Sequence, residues 1–441
     1  MKKTYSLLKG RVSNSVLYPA AQFYQKRTIL TKFNELTKIY NDDFAKRKRN
    51  NLESLISILE YSKNHVPYYR DLFDSIGFNP QKLRNDFSHF ESIPFLTKDI
   101  LLEQGSRMLS DEANSKRVHS FKTGGSTGDS VFIYYDQEAL DWSSAITLYA
   151  RDRIGHKNWQ SEIHFASRYP EAFCIKDRLK EFSKCFVMNR ENIFFDSLDD
   201  QSLKKIWKKL NFKSPNLVHA HPSTMYAIAQ WAMRARENKQ VFDVFESSGE
   251  LLDQKKRDVI AEVLKCKVVD RYGLAEFGVV AYELNGNELQ IFDSFVYPES
   301  NFFEESMDVS ELVFTGLTNY LMPLIRYRTG DGGLIKENES GYVIENILGR
   351  VHDTVIIKGV EYQTHYIQDV LDRIGGIKEF QIKRSAYTMT LSLVPEENAS
   401  VIYIKDKIEM FFGKEFLVEF VSMQELIKVG WRDKFRYVVD V

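Results

Sequence analysis

Between residues 161 and 273, short runs of period two alternate with longer runs of period three to four. No other feature limits the possible folds as much. "SEIHFAS", "PNLVHAH", "VFDVFESSGE" and "KVVDRYG" read as strands, the third ending in a loop. Among them lie two helical segments. "PSTMYAIAQWAMRARENK" has Pro222 at a favoured first-turn position, and "DQKKRDVIAEVLK" has Asp253 as its cap. Strands separated by helices of this length predict a parallel sheet with helical crossovers.

The flanks are different. Residues 28–64 read as helix, with Leu52, Leu55, Ile56 and Leu59 at spacings of three and four. "HVPYYRDLF" breaks that pattern at Pro67 and restarts it. In "FESIPFLTKDILLEQ", Pro94 stops one segment and Thr97 caps the next. "SVFIYYD" is a strand. After residue 285 strands dominate, as in "NELQIFDSF" and "SELVFTGL". Past residue 350 a smaller unit follows: "DTVIIKGVEYQ" as a hairpin, helices "THYIQDVLDRI" and "SVIYIKDKIEMFFG", and strands "EFQIKR" and "TMTLSLVP". A chain of 441 residues exceeds one compact core. The expected fold is therefore α/β: a large N-terminal domain with mixed or parallel sheets covered by helices, and a small α+β C-terminal domain.

Composition excludes more than it assigns. The net charge of −1 gives no whole-protein field to favour nucleic acid or an anionic membrane. The basic run "AKRKRNN" follows Asp42 and Asp43 and precedes Glu53, so it reads as a solvated helix face. Cys174, Cys185 and Cys266 are widely spaced and odd in number, which predicts neither a disulfide framework nor a paired-cysteine zinc site. There is no signal-type apolar core and no apolar stretch of membrane-spanning length, so the expected compartment is the cytoplasm.

"KTGGSTGDS" (122–130) is a phosphate-type loop of unusual kind. Asp129 follows Gly128 where a Walker loop has lysine, and the spacing of Gly124, Gly125 and Gly128 does not match the kinase glycine loop either. What remains is backbone N–H groups free to converge, with Thr123, Ser126 and Thr127 as neutral donors. Such a nest suits anionic oxygens; an ordinary glycine-rich turn is the other reading.

"TGGSTG" resembles the phosphate loop of the adenylate-forming superfamily, whose members include acyl-CoA synthetases and peptide-synthetase adenylation domains. Three further stretches carry the resemblance, in order: "DRYGLAEFG" (270–278), "YRTGDGG" (327–333) and "GRVHDTVIIKGVEYQ" (349–363). "HVPYYRDLF" and "IPFLTKDIL" are similar to the lead-in of the phenylacetate–CoA ligase-like branch, which includes capsule-biosynthesis adenylating proteins. The resemblance spans the chain from about residue 50.

It implies an acyl-adenylate chemistry in which an anionic acid meets an anionic triphosphate. Positioning and charge neutralisation then matter more than proton transfer. By resemblance, Gly124–Gly128 cradle the β- and γ-phosphates of ATP. Glu276 helps hold Mg²⁺, and Tyr272 with Gly273 borders the adenine opposite Ser248, Gly249 and Glu250. Asp331 accepts from both ribose hydroxyls, Arg350 makes a second nucleotide contact, and Lys434 stabilises charge on the α-phosphate and acyl carboxylate. Arg326 and Arg328 flank the site, one of them free to pair with a structural carboxylate. The resemblance also implies division into residues 1–348 and a mobile 349–441, with His352 and Asp353 at the hinge. Arg168, Tyr169, His219 and His221 are expected at the acid pocket, with at least one histidine packed in the core.

The implied reaction consumes a carboxylic acid and ATP, releases pyrophosphate, and passes the acyl group to coenzyme A, a carrier's phosphopantetheine or an amine. A second class also fits: a non-catalytic, nucleotide-binding relative serving as a scaffold in a surface-polysaccharide or secondary-metabolite pathway. Asp129, His352 and Asp433, which replace residues usual in active members, speak for it. An unrelated phosphotransferase leaves the three later motifs unexplained. Acid, acceptor and oligomeric state are open.

Overall fold

The computed structural model describes residues 8–122, 131–165, 175–195, 198–252, 254–286, 288–303, 306–349, 354–358, 360–385, 388–422, 425–429, 434–435 and 437–441. The predicted parallel sheet is there. Its five strands run in the order Arg190–Ile193, Glu162–Phe165, Leu217–Ala220, Val244–Ser247, Lys267–Val269, every neighbouring pair parallel. Helix Pro222–Arg234 packs on one face, burying Met225, Ile228, Ala229 and Ala232 with Val218, Ala220 and Phe245 of the strands. Helix Gln137–Arg153 serves the opposite face. Asp136 caps it, its carboxylate accepting from the Ala139 N–H at 2.9 Å.

A seven-stranded sheet stands beside the first, with all neighbours antiparallel. The stretch "KVVDRYG", expected as one strand, divides between the sheets. Lys267–Val269 is the edge of the parallel sheet and Arg271–Leu274 the edge of the antiparallel one. The crossing occurs at Asp270, whose N–H donates to Glu283 at 2.7 Å. An apolar pattern of period two says nothing about a strand that changes partners midway.

The expected 28–64 helix is also two elements, Ile29–Ile39 and Phe44–His65. Asp43 caps the second by accepting from the Lys46 N–H at 2.7 Å. The run "AKRKRNN" is solvated as read at Ala45, Lys46, Lys48, Arg49 and Asn50, but not at Arg47 or Asn51. Arg47 is buried, its Nε 2.9 Å from Asp293, and its guanidinium reaches the Ser340 carbonyl. The breaks at Pro67 and Pro94 stand as read: helix Pro67–Ser75 restarts after Val66, and helix Lys98–Gln104 is capped by Thr97.

Past residue 350, Thr354–Ile357 and Val360–Gln363 form the expected antiparallel hairpin. A four-stranded mixed sheet follows, ordered Phe416–Phe420, Met389–Pro395, Ile377–Arg384, Val438–Asp440, with helices Thr364–Ile374 and Val401–Phe412. A short antiparallel pair sets Lys434 opposite Val429.

Candidate active site

The glycine-rich loop has fixed ends. Strand His119–Lys122 enters it and strand Phe132–Tyr135 leaves it, paired antiparallel with Lys122 opposite Phe132. Thr123–Ser130 lie outside the described residues, as do Arg168 and Tyr169, Arg350, His352, Asp353 and Asp433.

The outgoing strand reaches the next motif directly. The Tyr135 hydroxyl donates to the Ala275 carbonyl at 2.7 Å. Ala275 and Glu276 form the tip of the hairpin between Arg271–Leu274 and Gly278–Glu283. Burial, reinforced by the Glu276 charge, pushes the Tyr135 phenol far up, so it stays a donor.

Two further tyrosines cross-link the second and third motifs. Tyr327, the first residue of "YRTGDGG", donates to Glu276 Oε1 at 3.0 Å. Tyr272, from "DRYGLAEFG", donates to Asp331 Oδ2 at 2.7 Å. Each motif's aromatic hydroxyl therefore holds the other motif's carboxylate. Asp331 is fixed from below as well, its N–H donating to Thr329 Oγ1 at 3.0 Å while that hydroxyl donates to the Leu312 carbonyl at 2.7 Å. Leu96 of "IPFLTKDIL" clasps the same strand, donating to the Arg326 carbonyl and accepting from the Arg328 N–H, both at 2.9 Å. The lead-in thus braces the site.

Both flanking arginines, not one, pair with structural carboxylates. Arg326 Nε lies 3.0 Å from Glu299, and its guanidinium also donates to the Glu91 and Ile93 carbonyls. Arg328 Nε donates to Glu311 at 2.7 Å, and the Gly330 N–H donates to the other Glu311 oxygen at 3.0 Å. Their charges hold the "YRTGDGG" strand in place.

Ser248 to Glu250 follow the fourth strand of the parallel sheet. His221 Nδ1 is 2.9 Å from the Ser248 carbonyl, and since a carbonyl only accepts, Nδ1 carries the proton. Gly249 has φ +85°, and a Cβ there would stand 2.5 Å from His221 Cε1. Gly249→Ala is expected to displace His221 and weaken nucleotide binding about tenfold, read by calorimetric titration with ATP.

His219 belongs to a buried ionic cluster that the sequence did not disclose. His164, His219 and Glu246 stand in register on neighbouring parallel strands. Arg151, near the end of helix Gln137–Arg153, grips Glu246 with Nε at 2.9 Å and Nη2 at 2.7 Å, and reaches Glu162 at 2.6 Å. Tyr282 of the antiparallel sheet also donates to Glu246. One helix and both sheets are thereby joined through a single carboxylate. Burial alone would push Glu162 and Glu246 up; the Arg151 guanidinium overrides it and holds both well below the usual carboxylate range. His219 Nδ1 is 2.7 Å from Glu246 but outside donor alignment, a close electrostatic contact rather than a formed hydrogen bond. Burial pushes its pKa down to about 3, against the pull of Glu246. The sequence signals for this cluster were the histidine expected to pack in the core and Glu246 inside the apolar run "VFDVFES".

A pH dependence follows. A histidine whose folded pKa lies below its unfolded value contributes stability above about pH 6.5, and that stability is lost as pH falls. His219→Gln is therefore expected to flatten the acid limb. From pH 6.5 to 5, wild type should lose about 2 kcal/mol more than the variant in urea unfolding. Asp270, raised to about 6 by burial, acts in the opposite direction but is common to both proteins.

A large α/β body in which Glu276 at a hairpin tip and Asp331 on another strand of the same sheet are each held by the other motif's tyrosine has solved and curated counterparts. A 2-hydroxyisobutyryl-CoA ligase, solved in complex with 2-HIB-AMP and CoA, superposes with a TM-score of 0.57 at 20% identity, over 90% of each chain. A second structure of that ligase, in the postadenylation state, gives 0.56 at 19%. No family model matches the sequence. The protein CapK of Staphylococcus aureus is 22% identical over 358 residues, covering 78% of this chain and 74% of CapK. The phenylacetate-coenzyme A ligase of Aromatoleum evansii is 24% identical over 336 residues, covering 73% and 74%. These likenesses, all below 25% identity, support the resemblance to the adenylate-forming superfamily. CapK and the phenylacetate–CoA ligases are among the proteins whose sequences it matches.

Proposed function

We propose that this protein is an ATP-dependent acid ligase working in the cytoplasm. It joins a carboxylic acid to the α-phosphate of ATP, releases pyrophosphate, and transfers the acyl group to a thiol, with coenzyme A as the first candidate. The reciprocal pair Tyr272–Asp331 and Tyr327–Glu276 is the observation that carries this proposal. It presents two carboxylates, a few residues from the end of the glycine-rich hairpin, in fixed positions before any nucleotide arrives.

Asp331, with Oδ2 on Tyr272, would accept from the two hydroxyls of a ribose, since a carboxylate accepts only and has several lone-pair sites. Tyr272, steadied through its hydroxyl, would border the adenine opposite Ser248–Glu250. Glu276 is a hard oxygen donor suited to Mg²⁺, a cation that binds through one or two carboxylates plus phosphates. The loop 123–128 would take the β- and γ-phosphates, and Arg350 would add a cation at the nucleotide. Lys434 would meet the charge that develops on the α-phosphate and acyl carboxylate. Residues 349–441 would then move as a unit about His352 and Asp353 between the two half-reactions.

Chromatography of the nucleotide product tests this. With a suitable acid, coenzyme A and Mg²⁺, ATP should yield AMP and pyrophosphate. ADP as product, or AMP formed without an acyl thioester, would contradict the scheme. Lys434→Ala is expected to lower turnover roughly 10²–10³-fold while ATP affinity stays within about threefold.

A further inference from the structure

Two helices at one corner of the fold are amphipathic in the inverted sense. Residues 8–24 form a continuous helical run with a π-helical turn at Ser13–Leu17. Its inward side is small or polar at Gly10, Ser13 and Gln22, with the Tyr18 ring buried among them. A Cβ at Gly10 would fall 1.9 Å from the Trp159 carbonyl oxygen, Ser13 donates to the Val187 carbonyl, and Gln22 accepts from the Leu30 N–H at 3.2 Å. Its outward side carries Leu8, Val12, Val16 and Phe23, the last 88% exposed.

Helix Ile175–Val187 repeats the inversion. Glu181 turns inward to accept from Arg190 at 3.1 Å and Asn192 at 2.7 Å. Ile175, Leu179, Phe182 and Phe186 form the outer stripe, with Phe182 68% exposed. The two helices meet where Lys9 Nζ sits 4.5 Å from the Phe186 ring centroid. The two helices are therefore neighbours at Lys9–Phe186 and Ser13–Val187, and together they expose more apolar side chains than the scattered ones of an ordinary surface.

Charge identifies the occupant. No acidic residue precedes Glu35, although the same stretch includes Lys9, Arg11 and Lys26. Arg27 and Lys32 pair inward with Asp141 and Glu138. Helix Ile175–Val187 adds Lys176, Arg178, Lys180 and Lys184, against Asp177 and the inward Glu181. The net charge of −1 conceals this basic corner. A symmetric contact with a second copy would set like charge on like charge, which is costly. An apolar stripe bordered by lysines and arginines is the pattern of a helix lying in a lipid interface. Among the described residues no helix is long and apolar enough to cross a membrane, so the engagement is at the surface.

We propose that helical run 8–24 and helix Ile175–Val187 together dock the protein onto an anionic bilayer leaflet. Flotation with vesicles of phosphatidylcholine, alone or with about a third phosphatidylglycerol, tests it. The full chain should float with the anionic vesicles and be released by high salt. Phe23→Glu combined with Phe182→Glu should weaken that binding at least about tenfold, since it removes two anchors and adds repulsion. Both positions are exposed, so the double variant should keep the wild-type unfolding midpoint and its AMP-forming activity in solution. Failure to float with either vesicle overturns the proposal, as does equal binding to neutral and anionic vesicles. Wild-type self-association abolished by the same double variant would assign the face to a second copy instead.

Discussion

Asp331→Ala should raise the KM for ATP roughly a hundredfold, with unfolding stability changed by less than about 1 kcal/mol. The carboxylate is buried and accepts from Tyr272, and the strand that carries it is held independently by Thr329, Arg328 and Gly330. A charge-assisted hydrogen bond is worth about 1.5–3 kcal/mol, and a vicinal diol would form two with one carboxylate. Even the lower figure for both bonds gives two orders of magnitude in affinity. Tyr272→Phe should cost less, about three- to tenfold, because it removes only the group that aims Asp331. Steady-state kinetics in ATP separate these effects: a change confined to kcat, with KM unaltered, would remove Asp331 from the ribose.

Arg151→Met should destabilise the fold by about 3–5 kcal/mol. Glu162 and Glu246 share this guanidinium in a buried site, and its loss leaves two carboxylates there without their main counter-charge. The sign of the pH dependence is distinctive. In wild type both carboxyls are held below their usual range, so the stability they contribute is present above about pH 4.5 and lost in acid. Without Arg151 burial raises them, they protonate on mild acidification, and the penalty should shrink between about pH 7 and 5. Adding Glu246→Gln should recover part of the loss for the same reason. Urea unfolding at both pH values checks this; a penalty below about 1 kcal/mol, or one that grows in acid, would contradict it.

The periodic elements were legible because each records its own environment. The crossover strands, the hairpin after residue 350 and the starts at Pro67 and Thr97 follow from local pattern and capping chemistry. Features set by distant partners were not. Arg47 looked solvated because Asp293, far along the chain, is what buries it. Arg151 and Glu246 lie on a helix end and a mid-sheet strand with nothing local to link them. Tyr327 opens "YRTGDGG", yet its bond to Glu276 depends on two strands of one sheet presenting their ends together. The inverted helices were hidden by a different cause: amphipathic spacing predicts a helix but does not say which side faces the protein.

Acid-dependent exchange of labelled pyrophosphate into ATP tests the central claim most directly, because it needs acyl-adenylate formation to run in both directions and does not depend on knowing the acceptor. A panel of aromatic, short hydroxy and amino acids should contain one that raises exchange well above the acid-free rate in wild type, with the signal lost in Lys434→Ala and in Asp331→Ala at limiting ATP. Exchange that stays at background with every acid, in a folded protein that binds ATP and Mg²⁺, would contradict the account and leave a nucleotide-binding protein without this chemistry.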